Sequence, residues 1–152
     1  MFQRRIERTA DGEIRLHLVD EERALIREIA EELGSLLDES PDDPSLRRLF
    51  PPAHEDEELE REYRDLTGGQ LAAGRERSIE VLRDSAGQAV LTQEDADAWL
   101  RAINDARLVL GTRLDITEDF DWDAFDASDP RAPELALYAY LSWLQEQLVE
   151  AI

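Results

Sequence analysis

The chain has 152 residues, a length typical of one compact domain, and a formal net charge of −20. It contains no cysteine, which excludes disulfides, thiolate zinc ligands and a thiol nucleophile, and its two histidines leave little material for a histidine metal site. The apolar runs are far shorter than the roughly 20 residues of a membrane span, and the first residues lack the apolar core of a signal peptide, so we expect a cytoplasmic protein without a membrane segment.

The charge bears on the class of partner. All 17 cationic residues are arginines, and they are outnumbered by 37 acidic residues. Such a surface repels the phosphate backbone of nucleic acids unless arginines cluster locally, so nucleic acid is not an expected partner. The charge is typical of a solvated surface, and the alternative interpretation is an acidic face that docks another protein.

The N-terminal residues predict a β-hairpin. Apolar and polar side chains alternate on both sides of the dipeptide Asp11-Gly12, a pattern typical of two strands joined by a tight turn. The strands are predicted at residues 2–8 and 13–18. Because an isolated hairpin is only marginally stable in water, they should pack on helices.

A first amphipathic helix follows, with Asp20 predicted as its N-cap. It should end at Ser40-Pro41, because proline cannot continue the helical hydrogen bonds. Its apolar stripe consists of Leu25, Ile26, Ile29, Leu33, Leu36 and Leu37. Beyond this helix, a short apolar segment is predicted at Leu46, Leu49 and Phe50.

A second helix is predicted over residues 55–84. Gly68, Gly69 and Gly74 lie inside it, and each costs about 1 kcal/mol relative to alanine. We therefore expect a kink or break at these glycines, with close approach of another helix as the alternative explanation. The segment Ala86-Gly87-Gln88 predicts the turn that ends this helix.

Two more helices complete the pattern. Thr92 as N-cap and Asp95 three residues later resemble a capping box that opens the third helix. Pro130 and Pro133 bracket the start of the fourth. The apolar stripe of the third helix comprises Trp99, Leu100, Ile103, Ala106, Leu110 and Leu114, and that of the fourth comprises Leu137, Tyr138, Leu141, Leu144, Leu148 and Ile152.

These patterns predict a mostly α fold, a helical bundle of about four main helices with a short N-terminal β-hairpin. Residues 1–152 are interpreted as a single domain. Within it, the hairpin occupies residues 1–18, the bundle occupies residues 20–152, and an acidic loop lies near residues 115–130.

Three polar residues beside the stripe of the third helix form a candidate polar network or pocket: Asn104, Asp105 and Arg107. A polar group at the edge of a core must find hydrogen bonds or lose a few kcal/mol on desolvation. We favour a structural network of Arg107 that fixes the helix register. The functional alternative is a pocket that binds an anion through Arg107.

The acidic loop carries aromatic residues among its carboxylates. Asp119, Asp121 and Asp123 alternate as in a calcium-binding EF-hand loop, but the glycine and the final glutamate of that loop are missing. We therefore expect its aromatic residues to pack on the helices, with docking into a basic groove of another protein as the functional alternative. The candidate docking residues are Phe120, Trp122 and Phe125.

No catalytic motif is recognisable elsewhere. Serine and histidine do not form a nucleophile arrangement, and Gly68-Gly69 lacks the spacing of a phosphate-binding loop. We expect no catalytic residue, no metal site and no cofactor.

Several blocks of the sequence resemble an actinobacterial family of unknown function. The most specific is WLRAINDARLVLGTRL at residues 99–114, and others lie at residues 22–26, 49–54, 63–64 and 140–146. The resemblance covers nearly the full length. It implies a helical domain with a regulatory role, because family members are described as transcriptional or oxidative-stress regulators and tend to be encoded near the Clp adaptor ClpS. Any thiol–disulfide sensing in relatives cannot operate here, because cysteine is absent.

The first functional hypothesis is thus a non-enzymatic regulatory or adaptor-like protein that acts through protein–protein contacts. The alternatives are a DNA-binding transcriptional regulator, which requires an arginine patch, and a small-molecule or metal-dependent enzyme. A homodimer is compatible with pairing of an exposed helical stripe.

Overall fold

The structure is a computed structural model that describes residues 4–49, 56–121 and 128–152. It confirms a mostly α fold with four main helices and a small N-terminal sheet. None of the described helices is long and apolar enough to cross a membrane. In chain order the elements are β1 (Ile6–Arg8), β2 (Ile14–Leu16), α1 (Asp20–Glu39), a 3-10 turn (Pro44–Leu46), α2 (Glu57–Ser85), β3 (Val90–Leu91), α3 (Gln93–Arg113) and α4 (Ala132–Ala151).

The three strands form one antiparallel sheet in the order β1-β2-β3. Ile6 of β1 lies opposite Leu16 of β2, and Ile14 of β2 lies opposite Leu91 of β3. Gly12, in the predicted turn, has a φ of +85°, which glycine adopts without steric cost. The hairpin is confirmed, with shorter strands than predicted. The strand β3 was missed because two residues carry no periodicity.

The start of α1 differs by one residue from the prediction. Val19, and not Asp20, is the N-cap, and Asp20 is the first helical residue. The valine side chain cannot accept a hydrogen bond, so the carboxylate of Glu22 accepts one from the Val19 N–H at 3.2 Å, which is half of a capping box. Asp20 still places its charge in the first turn, where the macrodipole favours it.

The helix α2 runs without interruption through Gly68, Gly69 and Gly74, so the predicted break is wrong. Close approach of another helix does not explain Gly74 either, because a Cβ built there would meet no atom within 4 Å. Ile79 and Leu82 are buried where the last turns of α2 pack on α1 and α3. Tertiary packing of this kind outweighs a propensity cost of about 1 kcal/mol per glycine.

One buried cluster joins the sheet to all four helices. Trp99 on α3 is completely buried, and its indole N–H donates a hydrogen bond to the Ser85 hydroxyl at 2.7 Å. The predicted N-cap of α3 is confirmed, because the Thr92 hydroxyl accepts from the Asp95 N–H at 3.0 Å. Stripe residues that are buried as predicted include Ile26, Ile29, Leu33, Ile103, Ala106, Leu141, Leu144 and Leu148.

Two polar side chains fasten the sheet to the helices. Gln147 of α4 is only 6% exposed, and its Oε1 accepts hydrogen bonds from the backbone N–H groups of Arg5 at 2.6 Å and Ile6 at 3.0 Å. Arg23 of α1 lies near the opposite edge of the sheet, at the segments that follow β2 and precede β3. Its guanidinium donates to the carbonyl oxygens of Leu18, Ala86 and Gln88. No local sequence pattern marks either residue for this role.

Candidate functional site

The helices α3 and α4 bring a group of polar side chains together, which we call the α3–α4 polar cluster. One helical turn separates Asn104 from Arg107 on α3, so the two side chains share one face. The residues that face them from α4 are spaced by four and three positions and lie on one face for the same reason. They are Tyr138, Ser142 and Gln145.

The guanidinium of Arg107 is surrounded by uncharged oxygen atoms. Its Nε donates to the Ser142 hydroxyl at 2.9 Å, and its Nη1 donates to the amide oxygens of Gln145 and, at 3.5 Å, of Asn104. Its Nη2 lies 3.4 Å from the Tyr138 hydroxyl, and its Cζ lies 5.3 Å from the centre of the Tyr138 ring, a cation–π distance. The Gln145 amide donates to Asn104 Oδ1 at 3.0 Å, which closes the network.

These contacts define what the cluster can do. Four of the five N–H donors of Arg107 point at oxygen atoms of its own helix pair, so an anion that used two donors would have to displace at least one of these oxygens. Side chains held in this way set the axial register of two helices. The geometry thus favours the structural interpretation of Arg107, while anion binding remains the alternative.

Asp105 is directed away from this cluster and towards α2. It is 8% exposed, and its carboxylate lies 2.8 Å from Nε of Arg75. Burial raises the pKa of the Asp105 carboxyl, although the positive charge of Arg75 and its hydrogen bond act in the opposite direction. The three candidate residues therefore belong to two separate contacts, Asn104 and Arg107 between α3 and α4, and Asp105 between α2 and α3.

The start of the acidic loop packs as expected. Phe120 is half-buried against a small apolar cluster formed by Leu114, Ile116 and Leu135. Trp122 and Phe125, the other candidate docking residues, lie outside the described residues, as does Asp123. Among the residues that the structure does describe, no group of three or more histidine, aspartate or glutamate side chains is placed to hold a metal ion.

A groove opens between α1, α3 and α4, and we call it the α1/α3/α4 groove. Its volume is about 90 Å³. Its apolar lining includes Leu33 and Leu36 of α1, Val109 and Leu110 of α3, and Leu137 of α4. Helical spacing places four of the lining residues in predicted core stripes: Leu33, Leu36, Leu110 and Leu137. The groove itself could not be predicted, because helical spacing does not reveal which part of a stripe lacks a partner.

Ten of the described arginines contact oxygen atoms of the protein itself, whereas others, including Arg27, Arg47 and Arg101, have exposed side chains. Arg23 and Arg48 donate to backbone carbonyl oxygens, and Arg8 donates to the carbonyls of Ala151 and Ile152 at the end of α4. Others of the ten lie within 4 Å of a carboxylate, which removes their charge from the long-range field. Among the described residues, the pairs of this kind are Arg4–Glu150, Arg5–Glu22, Arg15–Glu13, Arg75–Asp105, Arg83–Asp84 and Arg131–Asp129.

Fold and site together define a small, strongly acidic, mostly helical protein whose described polar clusters join its own elements. The chain belongs to the family DUF2017, a domain of unknown function, whose model matches residues 3–152. This finding confirms the family suggested by the resemblance of residues 99–114 and the shorter blocks.

Relatives in mycobacteria carry a regulatory name. The chain is 26% identical over 182 aligned residues to the oxidative stress regulator AosR of Mycobacterium tuberculosis, an alignment that covers 93% of this chain and 83% of the relative. It is 32% identical over 130 residues to a protein of Mycobacterium leprae named as a putative oxidative stress regulator AosR, which covers 74% of this chain and 59% of that protein. No solved structure matches the chain.

Proposed function

We propose that the protein is a cytoplasmic, non-enzymatic regulator that acts by contacting other proteins. The regulatory role is supported by relatives that are named as oxidative stress regulators. The observation that carries the choice of protein contacts is the engagement of the arginines. A chain with a net charge of −20 binds nucleic acid only through a patch of arginines, and many of its arginines are held by its own carboxylates and carbonyls.

The size of the α1/α3/α4 groove supports the same proposal. Sites for small molecules commonly have volumes of roughly 300–1,000 Å³, whereas this groove holds about 90 Å³. That volume suits an apolar side chain presented by another protein better than a whole metabolite. An adjoining depression of about 530 Å³ is large enough for a metabolite, but it is open to solvent and lined chiefly by polar residues, whereas small-molecule sites are mostly apolar and enclose their ligand.

The proposal is tested by capture from a lysate of the native organism. The tagged chain serves as bait, before and after peroxide treatment of the cells, and retained proteins are cross-linked and quantified by mass spectrometry. Excess untagged chain is the control, because it competes only with specific partners. We expect at least one protein to be retained and competed away; if none is competed away under either condition, the proposal fails.

The two alternatives are tested on the purified chain. Fluorescence anisotropy with a pool of random duplex DNA at about 50 mM salt should show no saturable binding, since screening is weak at that concentration. Thermal shift assays with divalent metals and a metabolite panel should show no saturable stabilisation. Saturable DNA binding would favour the transcription-factor alternative, and a saturable shift would favour the enzyme alternative.

A further inference from the structure

The walls of the α1/α3/α4 groove are two rows of helical residues. Ile29, Leu33 and Leu36 follow one another at spacings of four and three along α1, and Ala106 and Leu110 follow at a spacing of four along α3. Rows with this spacing form the grooves into which the apolar face of another helix packs. At about 90 Å³ the groove takes one apolar side chain of such a helix, and the rest of the helix would lie over its mouth.

Ile29, Leu33 and Ala106 are buried in the walls of the groove, but its mouth stays accessible because α1 and α4 pack on different neighbours. The helix α1 packs chiefly on α2, and α4 packs chiefly on α3 and β1. α1 and α4 meet where the Tyr140 hydroxyl donates to the Glu22 carboxylate at 2.7 Å. The groove lies on the C-terminal side of Glu22 along α1. There Leu36, Leu110 and Leu137 remain only half-buried, so a further partner would remove apolar surface from water.

The edge of the groove is acidic. Glu32 and Arg113 both line the groove itself. Both also line an adjoining open depression of about 530 Å³, where Glu31 and Glu39 add two further carboxylates, so that three carboxylates outnumber one guanidinium. All three glutamates are exposed, and the last turn of α1 contains no basic residue. The depression lies beside the C-terminal ends of both α1 and α3, where the helix dipoles add negative partial charge. The apolar floor and the anionic edge together favour an occupant that is both cationic and amphipathic.

We propose that the α1/α3/α4 groove docks a basic amphipathic helix of a partner protein. One leucine-like residue would insert between the rows of α1 and α3, and its apolar neighbours would cover the half-buried leucines at the mouth of the groove. Its lysines or arginines would pair with Glu31, Glu32 and Glu39. This inference rests on the proposed function and adds the surface and the chemistry of the partner. A second copy of the chain is the poorer occupant, since each copy carries a net charge of −20 and would repel the other.

The test uses the full chain and a synthetic peptide as the probe. The peptide is a fluorescent helix of about 16 residues with leucines at positions i, i+4 and i+7 and lysines on its flanks. Two control peptides have the same composition in scrambled order, or glutamate in place of lysine. Anisotropy titrations measure Kd, and methyl NMR spectra of the chain report where the peptide lies.

Charge variants separate the groove from general acidity. We expect Glu32→Gln combined with Glu39→Gln to weaken binding about three- to tenfold, because edge charges of this kind contribute modestly. The matched control is Glu62→Gln combined with Glu76→Gln on exposed positions of α2, which removes the same charge and should leave Kd unchanged within about twofold. Thermal melts of both variants verify that the fold is retained.

An apolar variant tests the floor of the groove. Leu36→Ala should weaken binding about fivefold or more, because it removes a side chain that the occupant would cover. The methyl groups that shift on peptide addition should be those of Leu33, Leu36, Val109, Leu110 and Leu137. Raising the salt concentration from about 50 to about 300 mM should weaken binding further.

Several results would overturn the inference. They are equal binding of the scrambled peptide, methyl shifts remote from the groove, or equal effects of the two charge variants. If the methyl signals of the groove shift as the protein concentration is raised without peptide, and light scattering gives the mass of a dimer, the groove is assigned to a second copy instead. A captured partner that cross-links to another face would leave the proposed function standing while this inference fails. If the peptide binds in the groove but no partner is captured, the chemistry of the groove stands while the proposed function fails.

Discussion

The contact of Gln147 with β1 allows a sharp prediction. Its Oε1 is the acceptor for two backbone N–H groups, those of Arg5 and Ile6, at a site where Gln147 is 6% exposed. Gln147→Met keeps the length of the side chain and its apolar packing but removes the amide acceptor. The substitution therefore tests the hydrogen bonds with little change in volume.

The magnitude follows from the surroundings of the two donors. The N–H of Ile6 is buried, and leaving it unsatisfied costs about 1–3 kcal/mol. The N–H of Arg5 is partly accessible and regains some hydration, so its loss costs about 1 kcal/mol. The sum is about 2–4 kcal/mol. Methionine also removes Gln147 Nε2, which is buried and has no hydrogen-bond partner among the described residues, and this relief of about 1 kcal/mol leaves a net loss of about 1–3 kcal/mol, a substantial part of the roughly 5–15 kcal/mol by which folded proteins are stable.

Urea denaturation followed by circular dichroism measures this loss. With an m-value of about 2 kcal/mol/M, the midpoint should fall by about 0.5–1.5 M. Amide hydrogen exchange at residues 6–8 should accelerate as β1 loosens from α4. Gln93→Met, at an exposed position of α3, is the control and should stay within about 0.5 kcal/mol. A change below 0.5 kcal/mol for Gln147→Met would refute the assigned role.

Three further predictions concern stability. Gly74→Ala should raise the free energy of unfolding by about 0.5–1 kcal/mol, because a Cβ there meets no atom within 4 Å. Gly111→Ala, whose Cβ would lie 3.2 Å from the Tyr138 ring, is the comparison and should show no such gain in the same urea titration. Tyr140→Phe should cost about 1–2 kcal/mol through the lost hydrogen bond to Glu22, and an unchanged melting temperature would contradict this. Burial raises the pKa of Asp105 in the folded state above its value in the unfolded chain. Between these two pKa values the unfolded chain loses the proton while the folded state keeps it, so the free energy of unfolding falls as the pH rises. Asp105→Asn lacks this dependence, and its stability relative to the wild type should increase with pH across that window; a difference that stays constant with pH would refute the assignment.

The elements that could be predicted are those whose pattern is local. The stripe from Ile26 to Leu33 has helical spacing, and its residues are buried in α1 as predicted. Thr92 caps α3 because its hydroxyl reaches an N–H three residues later, a contact that any helix start provides. The break expected at Gly74 was wrong because packing of the later turns of α2 overrides a small propensity cost.

The candidate site was predictable only in part. Helical spacing predicts Asn104, Asp105 and Arg107 as polar residues at the core edge, and all three have polar partners. Neighbours in sequence point in different directions around a helix, so Asp105 meets α2 while Arg107 meets α4. The partners of each residue depend on how the helices pack, and no local pattern specifies that.

The amino-acid sequence by itself determined the mostly α class, the hairpin, the family and the acidic surface, because each depends on composition or on short-range periodicity. Only the tertiary structure decided which stripe residues remain half-buried, which arginines are held by carboxylates, and where Gln147 joins α4 to the sheet. Those features arise from contacts between residues far apart in the chain. Their physical basis is the relative placement of the helices, which leaves α1 and α4 without a shared interface along the groove.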